Sequence, residues 1–199
     1  GNVLITAGGI TVNEAVTAGG TGDITLTTTS GAGAGTLTLN ANVAAAGDDI
    51  FLVSADGINQ TGGTLSAANL TVTAVDGVTL TQTGNAVALL EATLSGTGNF
   101  AYTDTDGLTV GGIGATTGVT TNAGNVLITA GGITVNEAVT AGGTGDITLT
   151  TTSGAGAGTL TLNANVAAAG DDIFLVSTDG INQTGGTLSA ANLTVTAVD

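Results

Sequence analysis

The chain repeats itself almost without error. Residues 1–76 and 124–199 are the same sequence at an offset of 123, and only Ala55 against Thr178 breaks the identity over 76 positions. Whatever fold the first copy takes must therefore be able to continue into a second copy of itself. A fixed period of this kind marks architectures in which each unit packs on its neighbours along one axis. The chain reads as one 123-residue unit (1–123) followed by a partial second copy (124–199), one continuous solenoid and a window of a longer tandem array.

A shorter period runs inside the long one. Strand-like segments begin at Val3 (VLIT), Ile24 (ITLT), Ile50 (IFLV), Leu70 (LTVT), Leu90 (LEATL) and Leu108 (LTV), and the series returns at Val126 (VLIT). By chain numbering the spacings are 21, 26, 20, 20, 18 and 18. A second strand follows a glycine in each coil, at Gly9, Gly35, Gly57, Gly77 and Gly98, with the faintest near Gly118. A third apolar spot comes at Val16, Val43, Leu65 and Val87. This predicts an all-β parallel solenoid, with six coils of about 20 residues and three short strands in each coil. At ~4.8 Å per coil the six-coil unit would rise about 29 Å.

Residue chemistry supports that geometry. Ile24 and Leu26 alternate with Thr25 and Thr27, the period of two expected when one strand face is buried. Coil-to-coil hydrogen bonding leaves almost no place for proline, and the chain has none. The alanine run Ala44–Ala46 is too short for a helix, and Gly or Thr interrupts every longer stretch. In the fifth coil the strand must start at Leu90, so that Leu90, Ala92 and Leu94 point inward. Glu91 then faces solvent and avoids the penalty of an unpaired buried carboxylate. The aromatics Phe51, Phe100, Tyr102 and Phe174 are expected as core fillers or outer-face contacts. Asn2, Asp23, Asp49 and Asn69 precede the first strand of successive coils. They could form a hydrogen-bonded ladder, but a corner that favours small turn-forming side chains is the simpler expectation.

The charge inventory excludes most chemistry. There are 15 acidic residues and no Lys, Arg or His, for a formal net charge of −15. No cationic side chain can hold phosphate, which argues against nucleic-acid binding, and anionic membrane surfaces would repel the chain. No apolar run has membrane-spanning length, so membrane insertion is not expected. Without Cys or His, disulfides, thiolate catalysis and the usual zinc or haem sites are ruled out. A hydrophobic fraction of 42% and a mean hydropathy of +0.48 argue against disorder. The close carboxylate pairs are Asp48–Asp49, which should diverge at a corner, and Asp104 with Asp106, which should share one side of a strand. With no cation to steady a developing anion, neither supports catalysis, and the residues point to a protein that is not an enzyme. Asp56, Asp76 and Asp106 each precede a glycine, as turn formers do. No catalytic, cofactor-binding or metal-ligating residue is expected. The alternative is calcium among Asp23, Asp48 and Asp49, since Gly19–Leu26 is similar to a calcium-roll motif whose Asp falls one place early.

The phrases Gly1-NVLITAGGITV, Gly22-DITLTTTSGAGAGTLTLNANV and Asp49-IFLVSADGINQTGGTLSAANLTVTAVDG resemble the repeat shafts of filamentous-haemagglutinin-type exoproteins, large bacterial surface adhesins exported by a two-partner route. The resemblance implies a right-handed parallel β-helix that spaces or displays adhesive regions outside an outer membrane. The family's amino-terminal secretion domain and any recognisable carbohydrate-binding module are absent from these 199 residues. The expectation is an extracellular or cell-surface structural protein, a β-solenoid segment in the shaft of a fibre, filament or adhesin. Its expected partner is itself, by end-to-end or tandem stacking of coils, with host or surface glycans met through other regions. The competing function is a binding module, either calcium-stabilised or using rows of Thr to bind glycan or ice.

Overall fold

The computed structural model describes residues 1–113, 118–152 and 158–198. Those residues contain no helix, and their strands form two long sheets of 14 and 9 members in which every pairing is parallel. No strand pairs with its immediate successor in the chain. Each pairs instead with strands one coil away, which is the topology of a parallel β-helix. The expected fold class is what the structure has.

The first coil turns through three faces, with Val3–Ala7 on the first, Ile10–Val12 on the second and Val16–Ala18 on the third. Stacking on the first face keeps register from Val3 to Ile24, Ile50, Leu70 and Leu90, the coil starts read from the sequence. The second face stacks Ile10 on Leu37, then Ile58, Val78 and Phe100. Three strands, Val43–Ser54, Leu65–Ala74 and Ala86–Leu94, run through the corner between the third and first faces. The larger sheet therefore covers the first and third faces and the smaller one covers the second.

Alternation places one side chain in two inside. In Ile24–Thr28 the residues Ile24, Leu26 and Thr28 are buried while Thr25 and Thr27 lie at the surface. The inward residues form one connected, chiefly aliphatic core, with Val3 and Leu188 partly buried against it. Each fully buried Val, Leu or Ile contributes about 1.5–3 kcal/mol. Phe100 and Tyr102 are fully buried in this core, whereas Phe51 and Phe174 stand half-buried on the outer surface. Tight corners depend on glycine where coils nearly touch. Gly63 has φ +65°, and a Cβ there would lie 2.2 Å from the carbonyl carbon of Ala41. Its counterpart Gly186 stands in the same relation to Ala164.

The unit does not close on six coils. The strand Gly107–Val110, expected to open a sixth coil, lies on the third face of the fifth and pairs through Leu89↔Thr109 and Leu90↔Val110. Val119–Thr121 then takes the first face on Ala92–Leu94, and Val126–Ala130 falls on the second face against Phe100–Thr103. The physical reason is ring closure. The shortest coils on the first face, such as Ile50 to Leu70 and Val119 to Val139, spend about 20 residues on three strands and their corners. The two spacings that flank Leu108 are shorter than that, so the stretch from Leu90 to Val126 makes one coil and one further strand. The 123-residue unit thus comprises five coils plus one strand, and identical sequences occupy different faces in the two copies.

Register in the fifth coil is as expected on its inner side, where Leu90, Ala92 and Leu94 are buried. Glu91 points away from the core but is not exposed: only 2% of it is accessible. The chain following Gly107–Val110 passes over it, and the Ile113 N–H donates to its Oε2 at 2.7 Å.

Ile5 and Ile128 occupy the same place in the repeat, yet Ile5 is 37% exposed in the first coil and Ile128 is fully buried. Ile128→Ala should therefore cost about 2–5 kcal/mol, and Ile5→Ala less than about 1 kcal/mol. Urea unfolding of the two variants checks this, and equal losses would contradict the stacking.

Candidate functional site

Three polar systems decorate the solenoid: outer threonine columns, ladders along the corners, and a buried network that spans the third to fifth coils. The columns arise because parallel in-register stacking sets each outward residue over its counterpart. Thr73, Thr93, Thr120 and Thr140 form a column of four threonines, bounded by Val53 and Ala167. On the second face Thr103, Thr129 and Thr150 stack before Val176, and on the third Thr109, Thr134 and Thr161 stack before Asn182. Other columns are broken by Phe51, Glu91, Ala101, Leu127 and Phe174. The grooves beside them, one lined by Thr109, Thr134 and Thr161 and another by Thr36, Asn59 and Thr79 with Asp56 and Asp76 at its rim, open to solvent.

The corner series is a ladder, where the simpler reading expected isolated turn formers. Asn2 Nδ2 donates to Asp23 Oδ2 at 3.4 Å, and the Asp23 N–H returns to Asn2 Oδ1 at 3.2 Å. The Asp49 N–H donates to Asp23 Oδ1 at 3.4 Å, and Asn69 Nδ2 to Asp49 Oδ1 at 2.6 Å. The second copy rebuilds the ladder on another face. Asn125 N–H donates to Asn99, Asp146 N–H to Asn125, and Asp172 N–H to Asp146, at 2.8, 2.9 and 3.1 Å. Asn192 Nδ2 closes it on Asp172 Oδ1 at 2.7 Å. Adjacent carboxylates are tolerated because backbone N–H groups and Asn amides stand between them, and an acid that accepts such donors needs no cation. A second corner carries the same device, with Asn40 Nδ2 on Asn13 Oδ1 and Asn163 Nδ2 on Asn136 Oδ1, both at 2.7 Å.

The buried network centres on Asn85, which is wholly inaccessible. Its Oδ1 accepts from the Leu65 N–H and from Gln60 Nε2, both at 2.9 Å. Its Nδ2 donates to Gln60 Oε1, Leu80 O and Thr103 O at 3.1–3.2 Å. Beside it Asp104 is 2% exposed. One carboxylate oxygen of Asp104 accepts from Tyr102 Oη at 2.8 Å and the Val87 N–H at 2.9 Å, the other from the Asp106 N–H at 2.8 Å. Burial pushes the Asp104 carboxyl above the usual range, and these three donors oppose the shift. Burial and the neighbouring carboxylate also raise the Tyr102 phenol, so it remains a donor. Sequence reasoning missed both Asn85 and the role of Asp104. A polar residue at a corner looks like a turn former whether it points in or out.

Asp104 and Asp106 therefore do not share one side of a strand: Asp104 turns inward at a corner and Asp106 is exposed. Asp48 and Asp49 sit together at an irregularity between Ala45 and Asp49, where only Asp49 joins the ladder. Asp56 behaves as a turn residue, its Oδ2 accepting from the Gly33 N–H at 3.1 Å and Thr36 Oγ1 at 2.8 Å. Among the described residues no three acidic side chains converge as metal ligands would, and no helix is long and apolar enough to cross a membrane. Comparison with family models, curated proteins and solved structures found no match for this chain. What the fold and surface define is a parallel β-solenoid with a polar coat and polar seams.

Two outcomes follow from the buried network. Asn85→Ala strands Gln60, the Leu65 N–H and two carbonyls, and should cost at least about 3 kcal/mol in chemical unfolding, since each buried group left unpaired costs ~1–3 kcal/mol. Loss below about 1 kcal/mol would contradict the network. Asp104 titrates higher folded than unfolded, so its contribution is fully present below the unfolded pKa and is lost as pH rises through the folded one. Stability measured from pH 3.5 to 7 should fall more steeply with rising pH in the parent than in Asp104→Asn. Parallel curves would contradict the assignment.

Proposed function

We propose that this chain is a segment of the shaft of an extracellular fibre, a structural element of a bacterial surface protein or adhesin that acts by length and display rather than by catalysis. One observation carries the reading: the two near-identical copies run as one continuous parallel stack, strands of the second copy pairing in register on strands of the first. A unit that stacks on its own repeat in this way extends along one axis, as a shaft does.

Composition supports a life outside the cell. The absence of Lys and Arg leaves no site for trypsin-like proteases, and 15 acids without a cation keep a long polymer soluble by mutual repulsion. The resemblance to filamentous-haemagglutinin-type shafts supports the same reading. The broken threonine columns give less support to an ice-binding face, which needs rows that continue over many coils.

Concentrated purified protein should form unbranched filaments a few nanometres wide, with a layer spacing of ~4.8 Å along the fibre. Electron microscopy and fibre diffraction check this. A monodisperse compact monomer at all concentrations would contradict the assembly.

A further inference from the structure

The two copies differ in one respect that their sequences do not show. Val3–Ala7, Ile24–Thr28 and the strand at Ile50 lie on the first face. Their counterparts Val126–Ala130, Ile147–Thr151 and Asp172–Ser177 lie on the second. The second-strand motif moves equally, from Ile10–Val12 on the second face to Gly132–Val135 on the third. Phe51, outward on the first face between Thr25 and Thr71, reappears as Phe174, outward on the second face between Thr148 and Thr194. Every element has advanced by one face.

The displacement is a counting property of the unit, because five coils and one strand leave a remainder of one face in three. Nothing in the packing resists it. Each face is built from the same alternation of inward aliphatic and outward polar residues, so Val126 and Ile128 enter the core above Phe100 and Tyr102 as readily as Val3 and Ile5 stack under Ile24 and Leu26. The ladders move intact, since they need only a corner ahead of a long strand.

We propose that in an array each unit is turned by one third of a revolution from the one before, so that the outer surface marked by Phe51 and Phe174 is delivered in turn to all three faces of the fibre. The same face recurs after three units and sixteen coils, about 77 Å, and each unit rises about 26 Å instead of the ~29 Å of a six-coil repeat. Such a shaft has no preferred side. A partner that reads one face, such as an opposing flat surface, meets the patch once in three units, while a small ligand reaches it on every unit. The extension to many units rests on the shaft reading; the turn itself lies within this chain.

The chain has no cysteine, so introduced pairs report cleanly. Ala101 and Leu127 are direct neighbours on the second face, with Leu127 42% exposed. In a unit of six coils Leu127 would instead stack outside Thr109. Ala101→Cys with Leu127→Cys should cross-link within the chain through a short bifunctional reagent, and Thr109→Cys with Leu127→Cys should not. All three positions face outward, and circular dichroism checks that each variant keeps its strand content. Cross-linking in the Thr109 pair, in both pairs or in neither overturns the turn. If the Ala101 pair cross-links but the protein forms no filaments, the shaft reading fails and the turn stands. If filaments form, diffraction intensity at about 77 Å supports the proposal and an axial repeat of about 29 Å overturns it.

Discussion

The structure depends on one interaction, the backbone hydrogen-bond ladder that joins each strand to strands one coil away. Because no strand among the described residues pairs with the next in sequence, a residue's surroundings are set by what lies one coil before and one coil after it. The repeated sequence isolates this effect. Leu70 and Leu193 have the same local neighbours in the chain, yet one is fully buried and the other half-exposed. Burial here belongs to the stack and not to the segment.

The ladder also governs the polar groups. Stacking in register brings like next to like, which would be costly for a column of acids in a chain with no cation. The solution is to let backbone N–H groups and Asn amides alternate with carboxylates, as in the run from Asn2 through Asp23 and Asp49 to Asn69. The same accounting operates in the interior. Thr28 and Ser54 share a hydrogen bond at 3.1 Å, and Ser54 Oγ reaches the carbonyls of Gly35 and Gly57 at 2.9 Å. Thr151 and Ser177 repeat the arrangement in the second copy. Hydroxyls at strand ends thus satisfy carbonyls that the corners would leave bare.

Much of this is legible in the sequence. The coil starts at Val3, Ile24, Ile50, Leu70 and Leu90, the three strands per coil, and the inward set Leu90, Ala92 and Leu94 follow from the period of two and the recurrence of glycine. The sixth coil misleads because Leu108 continues the list of apolar starts. Two signals point the other way: the last two spacings are shorter than a closed coil, and Gly107-Leu-Thr-Val matches the glycine-led second strand Gly132-Ile-Thr-Val, its partner on the third face. Glu91 faces away from the core as read, but which loop covers it is a tertiary fact. Asn85 and Asp104 are illegible for a similar reason, since inward and outward corners use the same residues.

A repeat whose copies sit on different faces implies that the faces are interchangeable, and that neighbours in the stack supply the specificity. The most direct measurement is residue-resolved amide hydrogen exchange on the 199-residue chain. If stacking sets stability, Leu70, Val72 and Ile128 should be protected to the level of global unfolding, and their sequence twins Leu193, Val195 and Ile5 should exchange at least a hundredfold faster. Equal protection in each pair would mean that the segments fold by their own sequence, and would contradict the account.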